Sequence, residues 1–338
     1  MNRKLFPVGI LACGAIAAAT FWNRPAPQPA PRAAQSTVET APVAATASET
    51  AFDGDRAFAL LKAQCDFGPR PMGTVAHEKT AEWLQEQLEA VSDETKTQVW
   101  NETIRRGPGA GKTFKFTNIF GILRGTRDEG KAPEKIVPDL MLSAHWDTRP
   151  VADMDELRAN RGKPILGAND GASGVAALLE IARVLHKQRP EKTIVFAFWD
   201  GEDLGEFCHG STYFAAHSRE AEWKRFRAVR GILLDMIGDA DLKLTRDLTS
   251  IEYAPQLWDE FHAAAAEIGK SEYFNGRAMP VIDDHVPLNK AGIPTIDLID
   301  FDYPYWHTVE DTPDKCSGES LKIIGDSVLH FIRRGEKA

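Results

Sequence analysis

Apolar residues in this chain come in two patterns. The first is the short unbroken run. Ile194 to Trp199 (IVFAFW) is the clearest, long enough for a buried strand and too short for a helix. Ile136–Ala144, Gly231–Met236 and Pro294–Ile299 read the same way. Gln98–Ile104 and Phe114–Leu123 read as two more strands, joined by the Gly-rich turn RRGPGAGK. The second pattern is helical spacing. It covers Asp53–Cys65 with an acidic start, and Thr74–Val91 through Ala76, Ala81, Leu84, Leu88 and Val91. Val175–His186, Pro255–Ile268 and the closing Glu319–Arg334 are helical as well. Phe67–Thr74 is a Pro/Gly-rich loop, and Asp155–Pro164 is a polar surface excursion. Strands and helices alternate without internal repeats. That order predicts an α/β domain with a mostly parallel central sheet.

The first fifty residues do not share this pattern. Arg3 and Lys4 precede an apolar run from Leu5 to Trp22, and a stretch rich in Ala, Pro, Thr and Ser follows. Residues 1–22 read as a signal peptide, with small residues at Ala15, Ala17 and Ala19 for cleavage, or as an uncleaved signal anchor. Cys13 follows Ile10-Leu11-Ala12 in a weak lipoprotein-like pattern, but apolar residues continue past it. Residues 23–50 read as a flexible linker and 51–338 as the catalytic domain. The expected location is periplasmic or extracellular, with residues 5–22 as a possible membrane tether.

Of 338 residues, 43% are hydrophobic, enough for a sizeable core. The formal net charge is −9 and no basic cluster follows the first few residues, which argues against nucleic acid as a partner. Cys65, Cys208 and Cys316 lie in the domain. They allow at most one disulfide, and none has the CxxC spacing of a thiolate zinc site.

The chemistry collects where strands end. The opening run passes straight into Asp200-Gly201-Glu202-Asp203, and carboxylates crowded at a buried strand end repel one another and resist desolvation. His145 and Asp147 follow one strand, and Asp170 sits in a Gly-rich loop opening a helix. Asp235 ends another strand, and His307 follows the last. Each has an ordinary reading: a core histidine, an N-cap, an ion-pair partner, a packed ring. Together they imply an acidic, His-bearing patch at one sheet edge, where open α/β sheets bind ligands. No basic residue in these motifs neutralises it. A divalent cation does, and carboxylates with one or two His suit zinc.

The segments SAHWD, GANDGASGVAALLEIARVL, FAFWDGED with a later GS, LLDMIG, DDHVPLNKAGIP and WHT occur in this order over most of the domain. In them the chain resembles the zinc-dependent aminopeptidase family and, within it, the animal-type glutaminyl cyclases. The resemblance implies one domain with a central mixed, mostly parallel sheet flanked by helices. It implies Zn2+ held by Asp170, Asp203 and His307, with Glu202 as the proton-transfer residue. Asp235 and Asp283 would assist in a hydrogen-bonded network. Trp306 would wall the substrate pocket, with Phe207 the nearest candidate for a second aromatic wall and Tyr303 a further substrate contact. The implied partners are peptide or protein N-termini bearing Gln. The chain departs from the cyclases at Asp203, where they carry Glu, and at Asp297, where they carry His.

Two activities follow from such a site, and they differ in the nucleophile. An aminopeptidase uses a metal-activated water, with His145 and Asp235 completing a second zinc site. A cyclase uses the substrate's own α-amine. A loop longer than the peptidases' after Asp203, the acid opening DDH, and Trp306 before the metal His favour cyclisation. A third possibility is an inactive member of the fold acting as an interaction domain, against which the complete ligand set and Glu202 count.

Overall fold

The computed structural model describes residues 49–336. The expected signal or anchor segment and most of the linker lie outside the described residues. Among the described residues no helix is long and apolar enough to cross a membrane.

The chain runs α1 (Gly54–Asp66), α2 (Val75–Glu89), β1 (Glu94–Thr103), β2 (Thr113–Leu123), β3 (Leu140–His145), α3 (Ala172–Lys187) and β4 (Ile194–Trp199). It continues α4 (His209–His217), β5 (Arg230–Asp235), β6 (Arg246–Asp247), α5 (Leu248–Tyr253), α6 (Pro255–Glu267), β7 (Ala278–Met279), α7 (His285–Lys290), β8 (Thr295–Ile299) and α8 (Gly318–Arg333). Six strands form one sheet in the order β1-β2-β4-β3-β5-β8. β4, β3, β5 and β8 are mutually parallel neighbours, whereas β1–β2 and β2–β4 are antiparallel. The sheet is therefore mixed and mostly parallel. β6 and β7 make a separate two-stranded ladder.

The unbroken apolar runs have a direct cause: both faces of the sheet are covered. In β4, Ile194, Phe196 and Phe198 enter the core on the side of α1, α3 and α8. Val195, Ala197 and Trp199 enter a second core with Phe120, Phe214, Trp223 and Phe226. All six are fully buried. α3 lies directly on the sheet, because a Cβ at Gly174 would stand 2.1 Å from the Leu234 carbonyl oxygen. α3 starts at Ala172 and not at Val175, so Gly174 lies inside its first turn. Glycine here permits close packing and does not break the helix. β3 starts at Leu140 and not at Ile136, because Pro133–Lys135 form a turn of 3₁₀ helix and Pro138 cannot donate to a ladder.

Arg70, in the loop expected between α1 and α2, is fully buried. Its guanidinium donates to the carbonyls of Trp146, Leu166 and Gly167 at 3.2, 3.0 and 2.8 Å. It thereby ties the end of β3 to the loop before α3. Cys65, Cys208 and Cys316 are all free and buried.

Candidate metal centre

The parallel strands β3, β4, β5 and β8 all deliver their carboxyl ends to the same rim, and the loops after them carry the acidic and His residues. His145 is the last residue of β3 and Asp235 the last of β5. Glu202 and Asp203 leave β4 through Gly201, whose φ of +75° is cheap only for glycine. Asp170 stands just before α3, and His307 follows β8.

The structure brings these side chains together. Ligand atoms of Asp170, Asp203 and His307 lie within 4.8 Å of one another, and so do those of His145, Asp170 and Asp235. His307 Nε2 is 3.1 Å from Asp203 Oδ1 and 3.7 Å from Asp170 Oδ2. His145 Nε2 is 3.2 Å from both Asp170 Oδ1 and Asp235 Oδ1. All five residues are buried. His307 has a left-handed backbone, φ +55°, and so does Met236 after Asp235, φ +45°. Such backbone is strained for a residue with a Cβ, and it persists where surrounding structure aims a functional side chain.

Further residues hold these ligands in place. Asp147 is fully buried, and its two carboxylate oxygens accept the backbone N–H groups of Glu202 and Asp203 at 3.0 and 3.3 Å. Asp311 accepts the N–H groups of Asn169 and Asp170 at 2.9 and 3.1 Å. Asp153 lies 3.3 Å from His307 Nδ1, leaving Nε2 to face the carboxylates. Arg149 donates to Asp153 and lies 3.6 Å from Asp203. Asp311, Asp153 and Arg149 carry no motif of their own and are invisible as functional residues without the fold. Tyr303, expected as a substrate contact, is not brought to the cavity. Its ring is buried behind the wall with Met236, Val281 and Ile299, and its hydroxyl donates to Asp311 at 2.8 Å.

A cavity of about 350 Å3 opens over the cluster. Asp170, Glu202, Asp203, Asp235, Asp283 and His307 line its polar side. Phe207, Val281, Ile299, Phe301 and Trp306 are among its apolar side. The Trp306 ring stacks on His307 at 3.9 Å. Glu202 and Asp283, with the Cys208 thiol, bring ligand-type atoms within 4.8 Å.

Electrostatics divide the carboxyls. Burial and the charge of Asp203 push Asp170 up to about 7, although His145 opposes the shift. Burial would raise Asp203 too, but His307, His145 and Arg149 overcome it and hold Asp203 down at about 2. Burial, then Asp203 and Asp283, raise Glu202 well above the ordinary range. Burial and the neighbouring Asp235 and Asp284 do the same to Asp283. His145 is raised despite its burial, by the charge of Asp235 and hydrogen bonds to Asp147, Asp170 and Asp235. The patch is thus crowded with negative charge that the chain's own cations only partly offset. Buried Asp170 Oδ2 and Asp203 Oδ2 have no hydrogen-bond partner. Two orphaned carboxylate oxygens beside an imidazole fit a tetrahedral zinc with an open position.

Behind the cavity lies a second buried cluster, with His285 Nε2 3.2 Å from Asp247 and Nδ1 3.8 Å from Asp297. Asp297 thus sits against Asp247 and His285, in the layer beneath Asp283.

Residues 123–332 match Peptidase family M28, and the chain belongs to that family. A Bacteroides thetaiotaomicron glutaminyl cyclase, solved with N-acetylhistamine, superposes with a TM-score of 0.75 at 35% identity. The match covers 85% of this chain and 99% of that one. A Zn-dependent exopeptidase from Parabacteroides distasonis superposes with a TM-score of 0.74 at 30% identity, over 84% and 98% of the two chains. Among curated proteins, aminopeptidase YwaD of Bacillus subtilis is 31% identical over 65% of this chain, and the match spans 45% of that protein's length. The glutaminyl-peptide cyclotransferase of Drosophila melanogaster is 26% identical over 76% of this chain and 75% of its own length. Both activities therefore occur among relatives that share this fold.

Proposed function

We propose that this chain is a zinc-dependent glutaminyl-peptide cyclotransferase, converting an N-terminal Gln to pyroglutamate with release of ammonia. The observation that carries the reading is the pairing of Glu202 with Asp283 on the wall of the cavity that also holds the metal set. Two buried carboxyls this close do not both ionise readily, and burial with mutual repulsion favours the protonated form of each.

Asp170, Asp203 and His307 would hold the zinc. Zinc, when bound there, polarises the γ-carbonyl of the Gln side chain. Trp306 and Phe207 wall the space in which the Gln side chain folds back on its own amine, and this proximity supplies much of the rate. The α-amine nitrogen attacks the γ-carbon, forming the ring C–N bond. Glu202 takes the proton released by that amine and returns it to the departing nitrogen as the old C–N bond breaks. Asp283 and Asp235 keep Glu202 in a site where that proton is available. Ammonia leaves, and no water enters the balance.

The second reading is a di-zinc aminopeptidase, which the assembled His145–Asp170–Asp235 set favours. One experiment separates the two. Purified protein is incubated with Gln-peptides and with Leu-peptides, products are weighed and zinc is counted. Cyclisation gives a product lighter by one ammonia with a blocked N-terminus, about one zinc per chain, and a zinc that survives His145→Ala. Free amino acid from Leu-peptides, with two zincs per chain and one lost in His145→Ala, overturns the reading. We place the domain outside the cytoplasm, released or tethered through residues 5–22. Fractionation that finds the full-length chain soluble in the cytoplasm overturns that placement.

A further inference from the structure

A second cavity, larger than the catalytic one, adjoins it. It has a volume of about 600 Å3 and is lined by Trp100, Glu102, Arg105, Phe207, His209 and Tyr213, among others. It meets the catalytic cavity at Phe207, which lines both. The two spaces are therefore neighbours on either side of one exposed ring.

This cavity is built and not a surface accident. Trp100 lies between Phe116 and Tyr213, with ring centroids 5.0 and 4.2 Å away and planes within 14° and 5° of parallel. His217 stacks beyond Tyr213 at 4.1 Å. The rings form one rigid column. Glu102 accepts a hydrogen bond from Trp100 Nε1 at 3.2 Å, and His209 Nδ1 lies 3.4 Å from its other oxygen. His209 Nε2 is buried and has no partner, although a buried polar atom normally has one. Phe207 is held at the divide by its backbone. Phe207 and Cys208 both have left-handed φ, +62° and +55°. The Cys208 and His209 N–H groups donate back to the Glu202 and Gly201 carbonyls at 3.0 and 3.2 Å. The loop that carries Glu202 and Asp203 thus also sets the wall of the second cavity.

We propose that this cavity is a subsite for the substrate chain downstream of its N-terminal residue. It would take a large apolar or aromatic side chain at the third position against the Trp100–Tyr213 column, with Glu102 and His209 meeting main-chain groups. The inference rests on the reading of the catalytic cavity as a site for peptide N-termini, whichever bond is then broken. The faces of Trp100 and Tyr213 are spent on one another and on Phe116 and His217, so the ring edges supply the apolar contact, and a cavity of this size is ordinary for a ligand site. The N-terminal residue enters the catalytic cavity, and the chain that follows must leave past its rim. Phe207 stands at that rim, so an emerging chain passes it into the adjacent space.

The test compares Gln-Ala-amide, which is too short to reach, with Gln-Ala-Phe-Ala-amide and its Gly-for-Phe counterpart. A Leu-headed set is run in parallel. Exposed Thr212 and Ala216 line the cavity on α4, and Thr212→Trp and Ala216→Trp fill it without touching the catalytic groups. The expected result is a KM about tenfold lower for the Phe tetrapeptide than for the dipeptide, from burial of one aromatic side chain. Either filling variant should raise that KM to the dipeptide's while leaving dipeptide turnover within about twofold of the wild type. Equal KM for all lengths in the wild type overturns the proposal, and so does a length preference that survives both variants. If only the Leu set is turned over, the cyclase reading fails, while the length comparison within that set still decides the subsite. If neither set is turned over, the calorimetric affinity for tetrapeptide against dipeptide decides it in the same way.

Discussion

Asp147→Asn should separate holding the site from acting in it. The Asp147 side chain does not line the cavity, and its Oδ1 lies 3.6 Å from His145 Nδ1. It spans the N–H groups of Glu202 and Asp203 with one oxygen each, inside a fully buried position. Asparagine keeps the shape and one oxygen. Its amide nitrogen then faces an N–H that can no longer donate. A buried donor left unsatisfied costs about 1–3 kcal/mol, and the remaining bond loses its charge assistance. The expected destabilisation is about 2–4 kcal/mol. The larger effect should be kinetic. The turn carries Asp203, the proposed metal ligand, and Glu202, the proposed proton-transfer residue, and a displacement of about 1 Å costs on the order of 10²-fold in rate. Stability is read from urea denaturation midpoints with m checked for constancy. Turnover is then measured at a temperature where circular dichroism shows the variant folded, and zinc affinity by competition with a chelator. We expect kcat to fall about 10²-fold and zinc to bind more weakly. A variant with wild-type kcat and zinc affinity would show that the turn holds itself, and would refute the role given to Asp147.

Further outcomes follow from the same contacts. Glu202→Gln should retain zinc and lose about 10²–10⁴ in turnover, whereas Asp203→Ala should lose both; near-normal turnover in Glu202→Gln means another acid moves the proton. Chelation should abolish activity and added zinc restore it; full activity in a verified metal-free preparation refutes the metal site. Tyr303→Phe removes one donor to Asp311 and should lower stability by about 1–2 kcal/mol with KM unchanged, so a raised KM would return Tyr303 to the substrate. Burial raises Asp300 to about 7, though the Lys243 N–H opposes it. A raised carboxyl favours the protonated folded state, so stability should fall as pH rises from about 4 to about 7. Asp300→Asn should flatten that part of the denaturation-midpoint profile; an unchanged slope assigns it to other groups.

The sequence is most readable where one physical demand decides the residues. β3, β4, β5 and β8 are covered on both faces, so they appear as apolar runs whose ends are abrupt, and the chemistry begins at those ends. Short helices are least readable. α5 and α7 have six residues each, too few to display a period, and both exist through packing against β8. α4 begins after two left-handed residues, Phe207 and Cys208, which no residue preference announces. The side chains that cluster at the rim could be read from the sequence because His and Asp recur at strand ends. The braces could not. Asp311 reaches Asn169 and Asp170 from far along the chain, and Asp153 lies between β3 and α3 outside every motif. Tyr303 shows the converse: it stands close to His307 in sequence and faces away from the cavity.

The groups that meet at the rim come from the middle of the chain, at Asp170, and from near its end, at His307. They become neighbours only when β5 has paired with β3 and β8 with β5. No early, local stretch of polypeptide can assemble this constellation, because the long loop must close first, and such non-local pairing is slow. An ion captured there cannot seed folding. A metal bound there would act afterwards as a lock on the finished molecule, adding to stability by mass action and slowing escape from the native basin more than it hastens arrival. The order of the strands thus decides when in the life of the chain its charge problem is solved.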